Sequence, residues 1–126
     1  MINSSKISKR ELGNMGENIA VSYLMENNFT VLERNYRFSR LGEIDIVASE
    51  NEYICFIEVK TRSNTIFGTP SEAVNIKKQN KIKKISQIYL KEKGLLNRAQ
   101  RFDVLEIIME YNSNKAKGIN LIRDAF

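Results

Sequence analysis

The sequence predicts an α/β domain in which a central mixed sheet is flanked by helices, in the order helix, three strands, helix, then one or two strands. Three observations predict it. Leu12, Met15, Ile19 and Tyr23 recur at three- and four-residue steps. Three short β-prone runs between Phe29 and Lys60 are separated by turn residues, and a second helical period follows before β-prone residues return.

The elements follow in order. The first helix runs from about Lys9 and stops at Asn27-Asn28. Phe29 to Tyr36 reads as a strand, Ser39-Arg40-Leu41-Gly42 as a turn, and Glu43 to Val47 as a second strand with Glu43, Asp45 and Val47 on one face, opposite Ile44 and Ile46. Ser49 to Glu52 turns the chain into Tyr53 to Lys60, the most β-prone run. Thr61 to Ser71, with Gly68 and the single Pro70, reads as a loop with Ser71 capping a long helix. Val74, Ile82, Ile85 and Tyr89 mark that helix's apolar stripe, and Gly94 ends it. Phe102 to Met109 and Gly118 to Ile122 complete the sheet. Tight turns let the first three strands pair antiparallel, whereas the helix between the third and fourth is long enough to make those two parallel.

A chain of 126 residues with 42% hydrophobic and 28% charged residues fits a single domain, with residues 1 to 8 expected as a flexible tail. No run reaches the length of a membrane span and the polar start lacks a signal peptide's apolar block, so a cytoplasmic protein without membrane contact is expected. Lone Cys55 fits a reducing compartment. With no His and one Cys, the usual zinc sites and the Ser-His-Asp and Cys-His catalytic sets are excluded. Hydrolytic chemistry would have to rest on carboxylates, amines, hydroxyls and hard metal ions.

Charge is distributed unevenly within the net +5. Residues 41 to 62 hold Glu43, Asp45, Glu50, Glu52 and Glu58 against Lys60 and Arg62, while residues 63 to 101 hold nine basic residues against Glu72 and Glu92. An acidic centre beside a basic surface suits an enzyme acting on a polyanion. Alternation in the third strand puts Glu58 and Lys60 on one face at its C-terminal end, and pairing through the turn at Glu50-Asn51 brings Asp45 near Glu58. Two carboxylates at one point repel unless a cation lies between them, and hard oxygen donors suit Mg²⁺ or Mn²⁺. Lys60 beside such an ion can orient a water or offset charge on a phosphoryl group, which points to phosphodiester hydrolysis.

Gly16-Glu17, Asn35-Tyr36-Arg37, Gly42-Glu43-Ile44-Asp45, Phe56-Ile57-Glu58-Val59-Lys60-Thr61-Arg62, Phe67-Gly68 and Arg101-Phe102-Asp103-Val104 occur in an order that resembles the YraN-like family of predicted endonucleases. The resemblance runs from about residue 9 to the C-terminus. That family is similar to the restriction-endonuclease-like PD-(D/E)xK superfamily, which includes archaeal Holliday-junction resolvases. The resemblance implies a restriction-endonuclease-like core, Asp45 and Glu58 as metal ligands, Lys60 as the catalytic lysine, and Glu17 as a further ligand of the resolvase branch. Ile44 stands where the nominal motif has Pro.

Several further side chains are candidates for phosphate contact. Arg37, Arg40 and Arg62 lie at strand ends or turns and are suited to clamp phosphates. Lys78 falls within the second helix's apolar stripe and Gln79 flanks it, both near the loop leaving Lys60, while Lys77, Lys81 and Lys84 form an exposed basic face. Arg101 and Asp103 read as a structural pair, and Tyr36, Phe67 and Tyr89 as core or base-stacking aromatics. The expectation is a Mg²⁺- or Mn²⁺-dependent endonuclease acting on nucleic acid, DNA before RNA, on branched or single-strand-containing substrates. The alternative is a noncatalytic nucleic-acid-binding protein that keeps the fold. A symmetric cut of two strands would call for a homodimer.

Overall fold

A computed structural model describes residues 6–63 and 74–126. Helix α1 (Lys9–Glu26) is followed by β1 (Thr30–Phe38), β2 (Gly42–Glu50) and β3 (Tyr53–Arg62), then α2 (Ile76–Glu92), β4 (Ala99–Met109) and β5 (Ala116–Ile122). The five strands form one sheet in the order β1-β2-β3-β4-β5. The β3–β4 pair is parallel and the other three are antiparallel, the mixed sheet of a restriction-endonuclease-like core. No helix among the described residues is long and apolar enough to cross a membrane.

The apolar residues of the sheet separate into two layers, one beneath each helix. Ala20 and Leu24 of α1 pack on Ile46, Ala48, Cys55, Ile57, Leu105, Ile107 and Met109. Ile82, Ile85, Tyr89 and Leu90 of α2 pack on Ile44, Val47, Ile54, Phe56 and Val104. The helices therefore cover opposite faces, which the period-two alternation of β3 requires once both of its faces are apolar. Tyr36, Tyr89, Phe56, Phe102 and Phe126 form a chain of ring contacts through the α2-side layer, with centroids 5.0 to 6.0 Å apart. Tyr36 and Tyr89 thus serve packing, and the Tyr36 hydroxyl donates to Glu92 Oε1 at 2.7 Å.

Three local details differ from the sequence expectation. Ser8 is the N-cap of α1 in a capping box with Glu11, and the Ile7 amide donates to Asn112 Oδ1 at 2.8 Å, so the anchored chain begins inside the stretch expected to be a tail. Helix α2 is capped by Asn75, whose side chain accepts from the Lys78 amide; Ser71, the expected cap, and Phe67, Gly68 and Pro70 lie outside the described residues. Ile44 and Ile46 belong to opposite layers, where simple alternation would put them together. The switch falls at Asp45, where β2 parts from β3, and opposite Asn35 of β1, whose φ is +53°.

At the β2–β3 turn the sheet end is closed by charge pairing. Glu50 accepts from Arg101 Nη2 at 2.7 Å and from Arg123 through two nitrogens at 2.9 and 2.7 Å. Arg101 also holds the fully buried Asp103 at 2.9 Å, and Asp103 accepts the Asp124 amide, confirming the expected structural pair. The hydrogen bonds from Arg123, outweighing burial and joined by those from Arg101, hold the Glu50 carboxyl at about 2, below the ordinary 4.5. Because the folded value is depressed, this contribution is present above about pH 4.5 and lost as pH falls towards 2. Acid unfolding followed by circular dichroism is expected to show a stability loss across that window that Glu50→Gln removes.

Candidate active site

The β2–β3 ladder runs from the turn pair Glu50–Tyr53 to Ile46–Ile57 and stops there, while β3 continues to Arg62 along β4. Beyond the last pair, the Val59 amide would lack a cross-strand acceptor. Asp45 Oδ2 supplies one, accepting that N–H at 2.9 Å. The carboxylate has taken a backbone carbonyl's place at the point where β2 leaves β3. This is also where Ile44 passes to the α2-side layer, and it pins Asp45 beside the end of β3.

Glu58 is 2% exposed and faces α2. Lys78 reaches it from the first turn of α2, with Nζ 2.7 Å from Glu58 Oε2. Burial first, then the charges of Glu58 and Glu17, push the Asp45 carboxyl up to about 7, against the opposing pull of the Val59 amide and Lys78. For Lys60, burial and the neighbouring Lys78 lower the pKa, only partly offset by Glu58 and Asp45. Burial works against the Lys78 charge too, but its hydrogen bond to Glu58 and the attraction of both carboxylates hold its pKa above the ordinary lysine value. The structure therefore brings Asp45, Glu58 and Lys60 together as expected and adds Lys78 to them.

Glu17 enters from α1. It lines a cavity of about 650 Å³ together with Asp45, Val59, Lys60, Thr61 and Arg62, and lies 3.8 Å from Arg34. Its position depends on the residue before it. A Cβ on Gly16 would stand 1.8 Å from Thr61 Oγ1, so α1 lies this close to β3 only because position 16 carries no side chain.

Two carboxylates of hard oxygen suit an ion of the Mg²⁺ or Mn²⁺ type, which needs one or two protein carboxylates and takes its other ligands from water and phosphate. Asp45 and Glu58 are the residues that could hold it, with Glu17 across the cavity. Among the described residues no three His, Cys, Asp or Glu side chains group closely enough to cage an ion. An ion here would thus depend on non-protein ligands.

The remaining candidates divide. Arg37 and Arg40 are exposed at the β1–β2 end. Lys77, Lys81 and Lys84 are exposed on α2. Lys77, Lys78 and Lys81 line a second cleft, of about 350 Å³, against Leu41 and Gly42. Gln79 donates to the Val74 carbonyl at 2.8 Å and so ties the start of α2 to its approach. Arg62 pairs with the buried Glu106 of β4 instead of standing out as a clamp. Glu106 escaped the sequence reading, although a carboxylate inside the apolar run Val104 to Met109 is a signal that a buried cation faces it.

By fold and site, the chain is a small three-layer α/β/α domain with a carboxylate–lysine cluster where two strands of its sheet diverge. It belongs to the Uncharacterised protein family UPF0102, which it matches over residues 16–107. It is similar to a UPF0102 protein of Acetivibrio thermocellus, 48% identical over 124 residues covering 97% of this chain and 95% of the relative. It is likewise similar to UPF0102 proteins of Clostridium botulinum and Clostridium kluyveri, at 48% and 47% identity, each covering 93% of this chain and 94% of the relative.

The Gly16 contact makes a direct prediction. Gly16→Ala should destabilise the protein by about 1–3 kcal/mol, the usual range for forcing atoms into a filled contact. Thermal or urea unfolding measures this, and adding Thr61→Ala, which removes the nearest atom, should recover some of the loss.

Proposed function

We propose that the protein is a divalent-metal-dependent nuclease of the restriction-endonuclease-like PD-(D/E)xK superfamily, hydrolysing DNA phosphodiester bonds with branched or single-strand-containing DNA as its substrate class. The observation that carries the reading is the meeting of Asp45, Glu58 and Lys60 where β2 diverges from β3. Such a concentration of carboxylates with two lysines is poorly explained by stability, because it raises the pKa of Asp45 and lowers that of Lys60.

In this reading Asp45 and Glu58 hold Mg²⁺ or Mn²⁺, with Glu17 as a further carboxylate. When bound, the ion supplies a water of lowered pKa and offsets charge on the phosphoryl oxygens. Lys60, with its depressed pKa, exchanges a proton more readily than an ordinary lysine and is suited to orient the attacking water at its Nζ. Val59 fixes Asp45 through its amide, so one carboxylate oxygen is oriented by the backbone. The exposed Lys77, Lys81 and Lys84, with Arg37 and Arg40, supply sequence-independent attraction for a DNA backbone. The single free thiol, Cys55, is buried and suits a reducing cytoplasm. A cut across both strands would take two copies of the chain.

A second reading, a noncatalytic nucleic-acid-binding protein, draws on the exposed basic face of α2 alone.

A panel of single-stranded, duplex, flap and four-way-junction DNA incubated with Mn²⁺ tests the enzyme reading. Wild type is expected to cleave at least one of the branched or single-strand-containing substrates. Lys60→Ala and Asp45→Asn should lose at least about 10²-fold in rate while keeping the wild-type circular dichroism spectrum. Undiminished cleavage by those variants would assign the activity elsewhere. Replacing Lys77, Lys81 and Lys84 together by Ala should lower the slope of log affinity against log salt by up to about 3, since each phosphate contact is worth roughly one. An unchanged slope would remove that face from the footprint.

A further inference from the structure

We propose that Lys78 is a built-in placeholder cation: it neutralises Glu58 until a nucleic-acid phosphate in the cleft beside α2 takes its ammonium, so that polyanion and divalent ion bind cooperatively. The inference rests on the metal-site reading above and adds a regulation of that site.

Glu58 and Lys78 are unequal partners. The carboxylate is 2% exposed, whereas the Lys78 side chain keeps 44% of its surface in solvent. A surface lysine is therefore reaching inward to meet a charge that cannot itself reach water. Removing the cation from so buried a carboxylate is costly unless another cation or a proton takes its place. A divalent ion at Asp45 and Glu58 would be that replacement, and it would repel an ammonium left in contact with the same carboxylate.

The cleft gives the displaced ammonium somewhere to go. Lys78 is one of its lining residues, with Lys77, Lys81 and Asn75 of the α2 start and with Leu41, Gly42 and the exposed Glu43 opposite, so three lysines outweigh one carboxylate there. Lysine carries a compact charge on a flexible stem, so exchanging a carboxylate oxygen for a phosphate oxygen imposes no fork geometry. Lys77 and Lys81 would hold a phosphate in the same cleft. A polyanion there removes the competitor from Glu58, and by linkage a divalent ion at Glu58 frees Lys78 for the polyanion. The metal would thus load most tightly when substrate is present.

Isothermal titration of the full chain with Mn²⁺ tests this. Lys78→Met, which keeps the stem and removes the charge, should bind Mn²⁺ at least about tenfold more tightly than wild type, within the usual range of coupling between sites. In the wild type, Mn²⁺ should speed reductive methylation of the Lys78 amine several-fold, as mapped by mass spectrometry, because the amine leaves its carboxylate. A short single-stranded DNA oligonucleotide added to the Lys60→Ala protein should tighten its Mn²⁺ binding. Equal Mn²⁺ affinity in wild type and Lys78→Met, with unchanged labelling, would overturn the placeholder and leave the metal site standing. Mn²⁺ binding to neither protein would overturn the metal site and this inference with it. Unchanged affinity on adding the oligonucleotide would overturn the coupling. If Lys78→Met fails to fold, the labelling of wild type decides.

Discussion

One hydrogen bond, from the Val59 amide to Asp45 Oδ2, holds β2 at the point where it parts from β3. Neighbouring strands of a sheet cannot separate without leaving backbone donors behind, and an unpaired buried amide costs about as much as a lost hydrogen bond. A side-chain carboxylate in the carbonyl's place removes that cost and allows β2 to diverge. Beside the divergence lies the cavity lined by Glu17, Asp45 and Lys60, and Ile44, just before Asp45, belongs to the layer beneath α2. A residue without an acceptor at position 45 would favour either a longer ladder, which closes the space, or an unpaired amide.

The two ends of the sheet handle charge in opposite ways. At the β2–β3 turn, Glu50 and Asp103 are matched by Arg101 and Arg123 through paired, planar contacts, and the pKa of Glu50 falls as a matched carboxylate's should. At the other end, Asp45 rises to about 7 because burial and its acidic neighbours outweigh what a lysine and one amide return. Lysines are point charges that can be exchanged; guanidinium forks hold their partners in place. Arg at one end and Lys at the other thus give a forked, rigidly matched closure on one side and a point-charge contact on the other.

Much of this could be read along the chain because it is local. The order of elements, the antiparallel meander and the parallel β3–β4 pair follow from periodicity and connection length, and the nearness of Asp45 to Glu58 follows from a hairpin with its turn at Asn51. Lys78 reads from the sequence as a lysine within the apolar stripe of α2 and a candidate for phosphate contact; its pairing with Glu58 depends on how α2 packs against β3. Other features depend on contacts between residues far apart. The face switch at Ile44 needs knowledge that the ladder ends at Ile46–Ile57, and Arg62 meets Glu106 only because the β3–β4 register brings the two strand ends alongside. The N-cap of α2 is Asn75, whose side chain accepts from the Lys78 amide, while Val74 before it is buried and its carbonyl accepts from Gln79, contacts that no local pattern displays.

Gly16 connects the packing of the domain to the cavity at Asp45. Glycine in a helix interior costs about 1 kcal/mol relative to alanine, and at position 16 it permits an approach to Thr61 that a Cβ would block. What the close approach does accomplish is the delivery of Glu17 to the same cavity as Asp45 and Lys60. A third carboxylate there further raises the Asp45 pKa, which again disfavours the folded protein on its own. Two local costs that point to the same cavity are hard to account for as packing, and they become intelligible if the charge they assemble has a cation to hold.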